Sequence, residues 1–306
     1  IYTPIYGQYS PELPLFINTE EQQRYFALNL QDQIFLNDQW SVLFGARFDH
    51  ITQDFQNKLA GTSSKKDLQQ TSPRLGLNYR LNDRWSWYAN YGESFALNSG
   101  MDRNGDVFNP EKGKSYEIGG KYRITSQSLL SLALFKMDKE NVLTTDPTDS
   151  NYQITAGEVS SKGLELDLET QLNDQFSIRA NYSYTDAQVE KDQILAKGSR
   201  LSNVPKHSGS ISSNYEWTLA NADKVGLGAT AIYVGKRSGH STDNGFNLPE
   251  YTLLNLNAYY APTDQLRYQF NVHNLLDETY YVASYSDMWI QPGDPLNASI
   301  SVQWKF

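Results

Sequence analysis

The chain of 306 residues is 39% hydrophobic and 13% aromatic, which is too apolar for a disordered segment. Its net charge of −9 excludes nucleic acid as a partner, because phosphate binding needs concentrated Lys and Arg, and the lack of cysteine excludes both a disulfide framework and a thiolate metal site. No apolar run approaches the roughly 18 to 20 residues of a membrane helix, whereas strands that meet lipid with every second residue remain open.

The chain starts Ile1-Tyr2-Thr3-Pro4, with no basic stretch leading into an apolar one and hence no signal peptide at this start. Residues 1–21, with Pro4, Pro11 and Pro14, read as part of a loop. Beyond them, segments alternate apolar and polar residues with the period of two expected of half-buried strands. Trp40, Val42, Phe44, Ala46 and Phe48 share one face. Leu164, Leu166 and Leu168 oppose Glu165, Asp167 and Glu169, and Phe176, Ile178, Ala180, Tyr182 and Tyr184 oppose Ser177, Arg179, Asn181, Ser183 and Thr185. Leu266, Tyr268, Phe270 and Val272 repeat the pattern, and Leu296, Ala298, Ile300, Val302, Trp304 and Phe306 end the chain with it.

Two kinds of connection join these strands. The short ones are Asn37-Asp38, Asn82-Asp83, Thr125-Ser126-Gln127, Asn173-Asp174, Ala220 to Asp223 and Pro262-Thr263-Asp264; Asn and Asp suit tight turns because they tolerate the left-handed backbone and bond their own main chain. The long ones, Phe55 to Thr71, Phe95 to Gly113, Thr144 to Ser160, Glu190 to Pro205, Lys236 to Pro249 and Asp277 to Asp294, are rich in Gly, Asn, Asp, Ser and Lys and read as loops. Strict alternation of short and long connections is the asymmetry of an outer-membrane barrel, with turns on the periplasmic side and loops outside. The expected class is therefore all-β, a transmembrane antiparallel β-barrel. Six hairpins and a final strand give about thirteen strands, an odd number that places the start of the chain outside, in an extracellular loop.

Other constellations have plain readings. Glu165, Asp167 and Glu169 could pair as glycosidase carboxylates do, but alternation makes them a polar ladder lining the lumen. His50, His207, His240 and His273 lack metal-ligand spacing. Gly226-Leu227-Gly228 puts small residues on the lumen face, and Asn297-Ala298-Ser299 lies within a strand, where glycosylation has no place. Trp40, Trp85, Trp87, Tyr260, Trp304 and Phe306, near the short turns, read as an interfacial girdle.

The run Tyr25-Phe26-Ala27-Leu28-Asn29-Leu30-Gln31-Asp32-Gln33-Ile34, followed by Trp40 to Asp49, resembles the mid-barrel hairpin of TonB-dependent siderophore receptors. Ser72-Pro73-Arg74-Leu75-Gly76-Leu77 and Trp87 to Phe95 are similar to that family's next hairpin, and Asn109-Pro110-Glu111 through Tyr116-Glu117-Ile118-Gly119 to one of its strand starts. The likeness continues through Ser161-Lys162-Gly163-Leu164-Glu165-Leu166, Asn203-Val204-Pro205-Lys206-His207 and Asn274-Leu275-Leu276-Asp277-Glu278-Thr279-Tyr280-Tyr281 to Phe306.

The resemblance implies that residues 22–306 are the last thirteen strands of a 22-stranded plugged barrel, with the plug and TonB box lying outside this sequence. It implies a non-enzyme, held in the lipid of the bacterial outer membrane, that imports iron as a ferric siderophore and partners TonB, with no covalently bound cofactor and no metal site of its own. Receptors for haem, cobalamin or a glycan stay open beside it, as do a passive porin and an outer-membrane enzyme; for haem, His207 and His240 would be the axial-ligand candidates. Cargo contacts are expected where rings and guanidinium groups sit in long loops with no lipid to enter, since both bind anionic or aromatic chelates. These candidates are Tyr6, Tyr9, Arg103, Arg200, Arg237, Phe246, Tyr280, Tyr281, Tyr285 and Trp289.

Overall fold

The structure, a computed structural model, describes residues 17–221, 223–240 and 242–306. The alternating segments form β1 (Thr19–Phe35), β2 (Trp40–Asn57), β3 (Thr62–Arg80), β4 (Trp85–Ala96), β5 (Glu111–Thr125), β6 (Ser128–Thr145) and β7 (Gln153–Gln171). They continue as β8 (Phe176–Lys191), β9 (His207–Thr218), β10 (Lys224–Val234), β13 (Tyr251–Ala261), β14 (Leu266–His273) and β17 (Asn297–Trp304). Between them lie two ribbons, β11 (Arg237–Ser238) with β12 (Asn247–Leu248) and β15 (Tyr281–Ser286) with β16 (Trp289–Pro292). The thirteen long strands make one antiparallel sheet, each paired with the next in chain order, and β1 and β17 are its edges. The expected strand number and the short turns are therefore found.

Register places every outward residue beside another. Leu30 faces Ala46, Ile118 faces Leu134, Leu132 faces Leu166, and Phe270 faces Ile300. Neighbouring cross-strand pairs make this face a continuous apolar band, exposed because hydrocarbon is its solvent. Its lower edge is aromatic: Trp40 stacks on Tyr79 at 4.4 Å, Trp85 on Tyr122 at 4.3 Å, and Trp304 on Phe306 at 5.8 Å. Its upper edge falls where Lys136 faces Lys162. The inward face carries Glu165, Asp167 and Glu169, the last 3.3 Å from Arg179. On the same face Gly226 leaves room for the ring of Tyr259, onto which the Arg267 guanidinium stacks at 3.6 Å. A side chain at Gly226 would collide with that ring, so the first glycine of the Gly-Leu-Gly run is a packing requirement.

The long connections differ from expectation. The β2–β3 connection keeps only residues 58–61 as a turn, and β6–β7 only residues 146–152. The 19 residues of β3, at about 3.3 Å each and tilted roughly 40°, rise some 45 Å, well beyond the ~25 Å apolar band. Above the band both faces meet water, so the alternation fades while the backbone ladder continues. The buried core lies up there: Val107 and Phe108 are buried, as are Ile51, Phe55 and Leu68, and residues 97–110 fold against the inward face, where Gln53 Nε2 donates to the Asn98 carbonyl at 2.9 Å. Lys66 Nζ donates to the Val107 carbonyl and Asn109 Oδ1, both at 2.9 Å, and fixes that contact.

The face assignment has a direct check. With the protein in lipid vesicles, Leu132→Arg places charge in hydrocarbon and is expected to cost about 2–4 kcal/mol of folding stability. Ser131→Arg, on the lumen face opposite Asp167, is expected to cost under about 1 kcal/mol. Equal costs would show that the faces are misassigned.

Candidate functional site

The site is built from three outer connections above β8 to β17. Tyr251 heads β13 on the inward face, the set that includes buried Leu253 and also Asn255, Asn257 and Tyr259. Tyr280 packs on its ring at 4.7 Å, and the Arg237 guanidinium lies over it at 5.4 Å. The β15–β16 ribbon is thus anchored at its base on the inward face of β13.

Its base is closed by the Asn274 side chain. Asn274 Nδ2 donates to the Glu278 carbonyl at 2.9 Å and the Asp294 carbonyl at 3.1 Å, while its Oδ1 accepts the Glu278 N–H at 2.9 Å. Asp277 Oδ1 accepts the Leu296 N–H at 2.9 Å. Asn274 and Asp277 both take positive φ, 50° each, a conformation that Asn and Asp tolerate better than other side chains.

The expected contact residues divide. Tyr285 is 70% exposed and Trp289 75%, beside Met288 at 84%; with Ile290 and Asn203 they line an open groove on the ribbon. Tyr281 and Phe246 are half-buried, and the Phe246 ring lies against Gly239. Arg237 is 1% exposed, and its guanidinium donates to the carbonyls of Tyr281, of Val282 at 3.0 Å and of Pro249 at 3.5 Å. Burial pushes it below the ordinary arginine pKa, with Tyr251 opposing. A cation enclosed this way by three carbonyls and a ring is occupied with holding loops.

Arg200 is engaged similarly. Its backbone N–H donates to Asp243 Oδ2 at 2.8 Å, and its guanidinium reaches the Val204 and Lys236 carbonyls at 3.4 Å each. Arg103 lies elsewhere, joining the 97–110 segment to residues 146–152 through the Thr148 hydroxyl and Asp146, whose Oδ2 is 3.5 Å from its Nε. The Thr148 hydroxyl and N–H hold the Asp146 carboxyl below the ordinary range, and Arg103 adds to this. Tyr6 and Tyr9 lie outside the described residues.

Sequence reasoning missed Asn203, Ser238 and Ser284, which link the connections. The signal present was Asn203 before Val204-Pro205, an Asn at a turn, and it takes φ 63°. Of the histidines, His207 faces outward, its Nδ1 2.7 Å from the Tyr182 hydroxyl, which removes it from the mouth. His240 Nδ1 is 2.7 Å from the Thr242 hydroxyl. Among the described residues no group of three or more His, Asp or Glu is set to hold a metal ion.

A tall antiparallel sheet with an apolar outer band, an aromatic lower girdle, a polar inner face and inward-folded outer loops is the wall of an outer-membrane receptor barrel. The model of the TonB dependent receptor-like β-barrel matches residues 2–275, and the chain belongs to that family, whose members sit in the outer membrane of Gram-negative bacteria. The metal-pseudopaline receptor CntO of Pseudomonas aeruginosa is 40% identical over 99% of this chain and 44% of its own length. The ferrioxamine B receptor of Salmonella typhimurium is 30% identical over 100% of this chain and 44% of its own length. In fold the chain is similar to the siderophore receptor PiuA of Acinetobacter baumannii, with a TM-score of 0.81 at 21% identity over 94% of this chain and 44% of that one. The chain thus spans less than half the length of these relatives, which are transport receptors rather than enzymes.

The role of Asn274 yields an expected outcome. Asn274→Ala removes three hydrogen bonds at the ribbon base and is expected to cost about 1–3 kcal/mol locally. The Glu278 amide should then exchange with solvent at least tenfold faster, while amides of β13 and β14 keep their protection. Unchanged exchange at Glu278 would contradict the clasp.

Proposed function

We propose that the receptor to which this chain belongs imports a metal held in a small organic chelator, a ferric siderophore in the first instance, and draws its energy from TonB. Residues 22–306, with β1 reaching back to Thr19, serve as the C-terminal thirteen strands of a barrel of about 22 strands, and residues 1–21 as part of an outer loop. A plug domain and the segment gripped by TonB belong to the rest of the longer protein. The loops capture the chelate outside, binding shifts the plug, and force applied through TonB moves the plug so that the cargo descends along the polar lumen face.

One observation carries this reading: an exposed apolar face, Tyr285, Met288 and Trp289, belongs to a ribbon whose base packs on the inward face of β13 through Tyr280 on Tyr251. Exposed rings there have no lipid to enter and match the apolar or aromatic parts of a chelator, while cations stack well on such rings. The names of the two relatives agree in kind, one a receptor for a metal–pseudopaline complex and the other for ferrioxamine B. They differ in metal as named, so the metal is a variable of the test.

The test is quenching of intrinsic fluorescence in the full-length receptor by ferric siderophores and by the same and related chelators loaded with zinc, nickel or cobalt, with haem and cobalamin alongside. At least one metal chelate is expected to quench at or below micromolar concentration, and Trp289→Ala is expected to weaken that binding about tenfold, ~1.4 kcal/mol. Quenching by haem or cobalamin alone, or ion conduction through a receptor that binds none of the panel, would overturn the proposal.

A further inference from the structure

The exposed ribbon makes few contacts of its own: β15 and β16 pair with each other and not with the thirteen-stranded sheet. Two side chains from neighbouring connections tie it down. Asn203 imitates a rung of a β-ladder, its Nδ2 donating to the Ser284 carbonyl at 2.8 Å and its Oδ1 accepting the Ser284 N–H at 2.9 Å. The Asn203 backbone N–H meanwhile donates to the Ser238 carbonyl at 2.8 Å, so one residue links all three connections. The Ser284 hydroxyl donates to the Gly239 carbonyl, and the Gly239 N–H to that of Phe246 at 3.0 Å.

From the other side Arg237 spans the carbonyls of Pro249, Tyr281 and Val282. Ser238 and Leu248, each 1% exposed, belong to the β11–β12 pair, whose second strand contacts β15.

We propose that Asn203, at the edge of the groove, and Arg237, buried behind it, are positioning residues: they fix where Tyr285, Met288 and Trp289 stand and set cargo affinity through that placement. The inference rests on the importer reading. The physical case is entropic. A two-stranded ribbon is marginally stable alone, and a site whose contact residues must be ordered at each binding event loses affinity for that ordering. The ties order the ribbon beforehand. Asn203 holds its clasp in a left-handed conformation, φ 63°, which glycine adopts without strain. Asn203→Gly therefore removes the clasp and leaves the backbone free to keep its shape.

The experiment uses the full-length receptor in its own membrane, with the variants Asn203→Gly, Arg237→Met and Arg237→Lys. Hydrogen exchange without cargo and transport of a radiolabelled ferric siderophore over a range of concentrations are both measured. In Asn203→Gly and Arg237→Met, the amides of residues 281–290 should exchange at least tenfold faster. The concentration for half-maximal uptake should rise about 10- to 100-fold, while the maximal rate per folded receptor stays within twofold. Arg237→Lys, which keeps a donor at a similar reach, should recover part of the affinity.

Unchanged exchange across residues 281–290 in both variants would overturn the proposal, whatever the cargo. So would a fall in maximal rate with half-saturation unchanged. If the unaltered receptor takes up none of the chelates, the importer reading fails by itself, and the exchange result still decides whether these residues position the ribbon.

Discussion

The hydrogen-bonding demand of the peptide group in hydrocarbon governs this structure. Each unpaired N–H or C=O facing lipid costs several kcal/mol, so a chain that crosses a membrane without helices must pair every strand with a neighbour. The unbroken order of thirteen antiparallel strands, each beside the next in sequence, answers that demand. Alternation follows from it: with the backbone satisfied sideways, side chains are left to point at lipid or at water. Turn chemistry follows too, since Asn37, Asn82 and Asn173 each accept backbone N–H groups from the residues that open the next strand.

Where lipid ends, the constraint relaxes and the molecule changes character. Strands continue upward as hydrogen-bonded ribbons, and connections fold back against the inner wall. Packing takes over from alternation as the organising force: Ile51, Val107, Phe108 and Leu248 are all buried there. Polar groups are satisfied individually there, by Lys66 on a carbonyl, Asn274 on three backbone groups and Arg237 on three carbonyls. The proposed cargo surface lies in this second regime, and the first one places it.

What could be read from sequence divides along the same line. Leu164-Glu165-Leu166-Asp167-Leu168 revealed strand, face and register class together, because lipid on one side and water on the other leave a mark at every residue. The Asn-Asp turns were legible because their backbone shape restricts composition. Residues 62–70 of β3 were read as loop because Ser63, Lys65 and Lys66 carry no apolar stripe, although the ladder runs through them. The sequence offers Arg237 as a cargo contact because a guanidinium in a Gly- and Asn-rich stretch gives no hint that carbonyls will converge on it. That convergence depends on β12 and β15 arriving from elsewhere, which local pattern does not encode. That Tyr285 and Trp289 belong to an outer connection is legible from the spacing of the short turns, but where their ribbon is anchored depends on Tyr280 finding Tyr251.

The central claim is that cargo is held by the ribbon anchored on the inward face of β13. The most direct measurement is a structure of the full-length receptor with a bound metal chelate. The chelate is expected within van der Waals contact of Tyr285 and Trp289, in the groove they line, with Asn203 and Arg237 still on their backbone partners and Arg237 out of contact with it. A chelate held elsewhere, with the ribbon empty, would contradict the account.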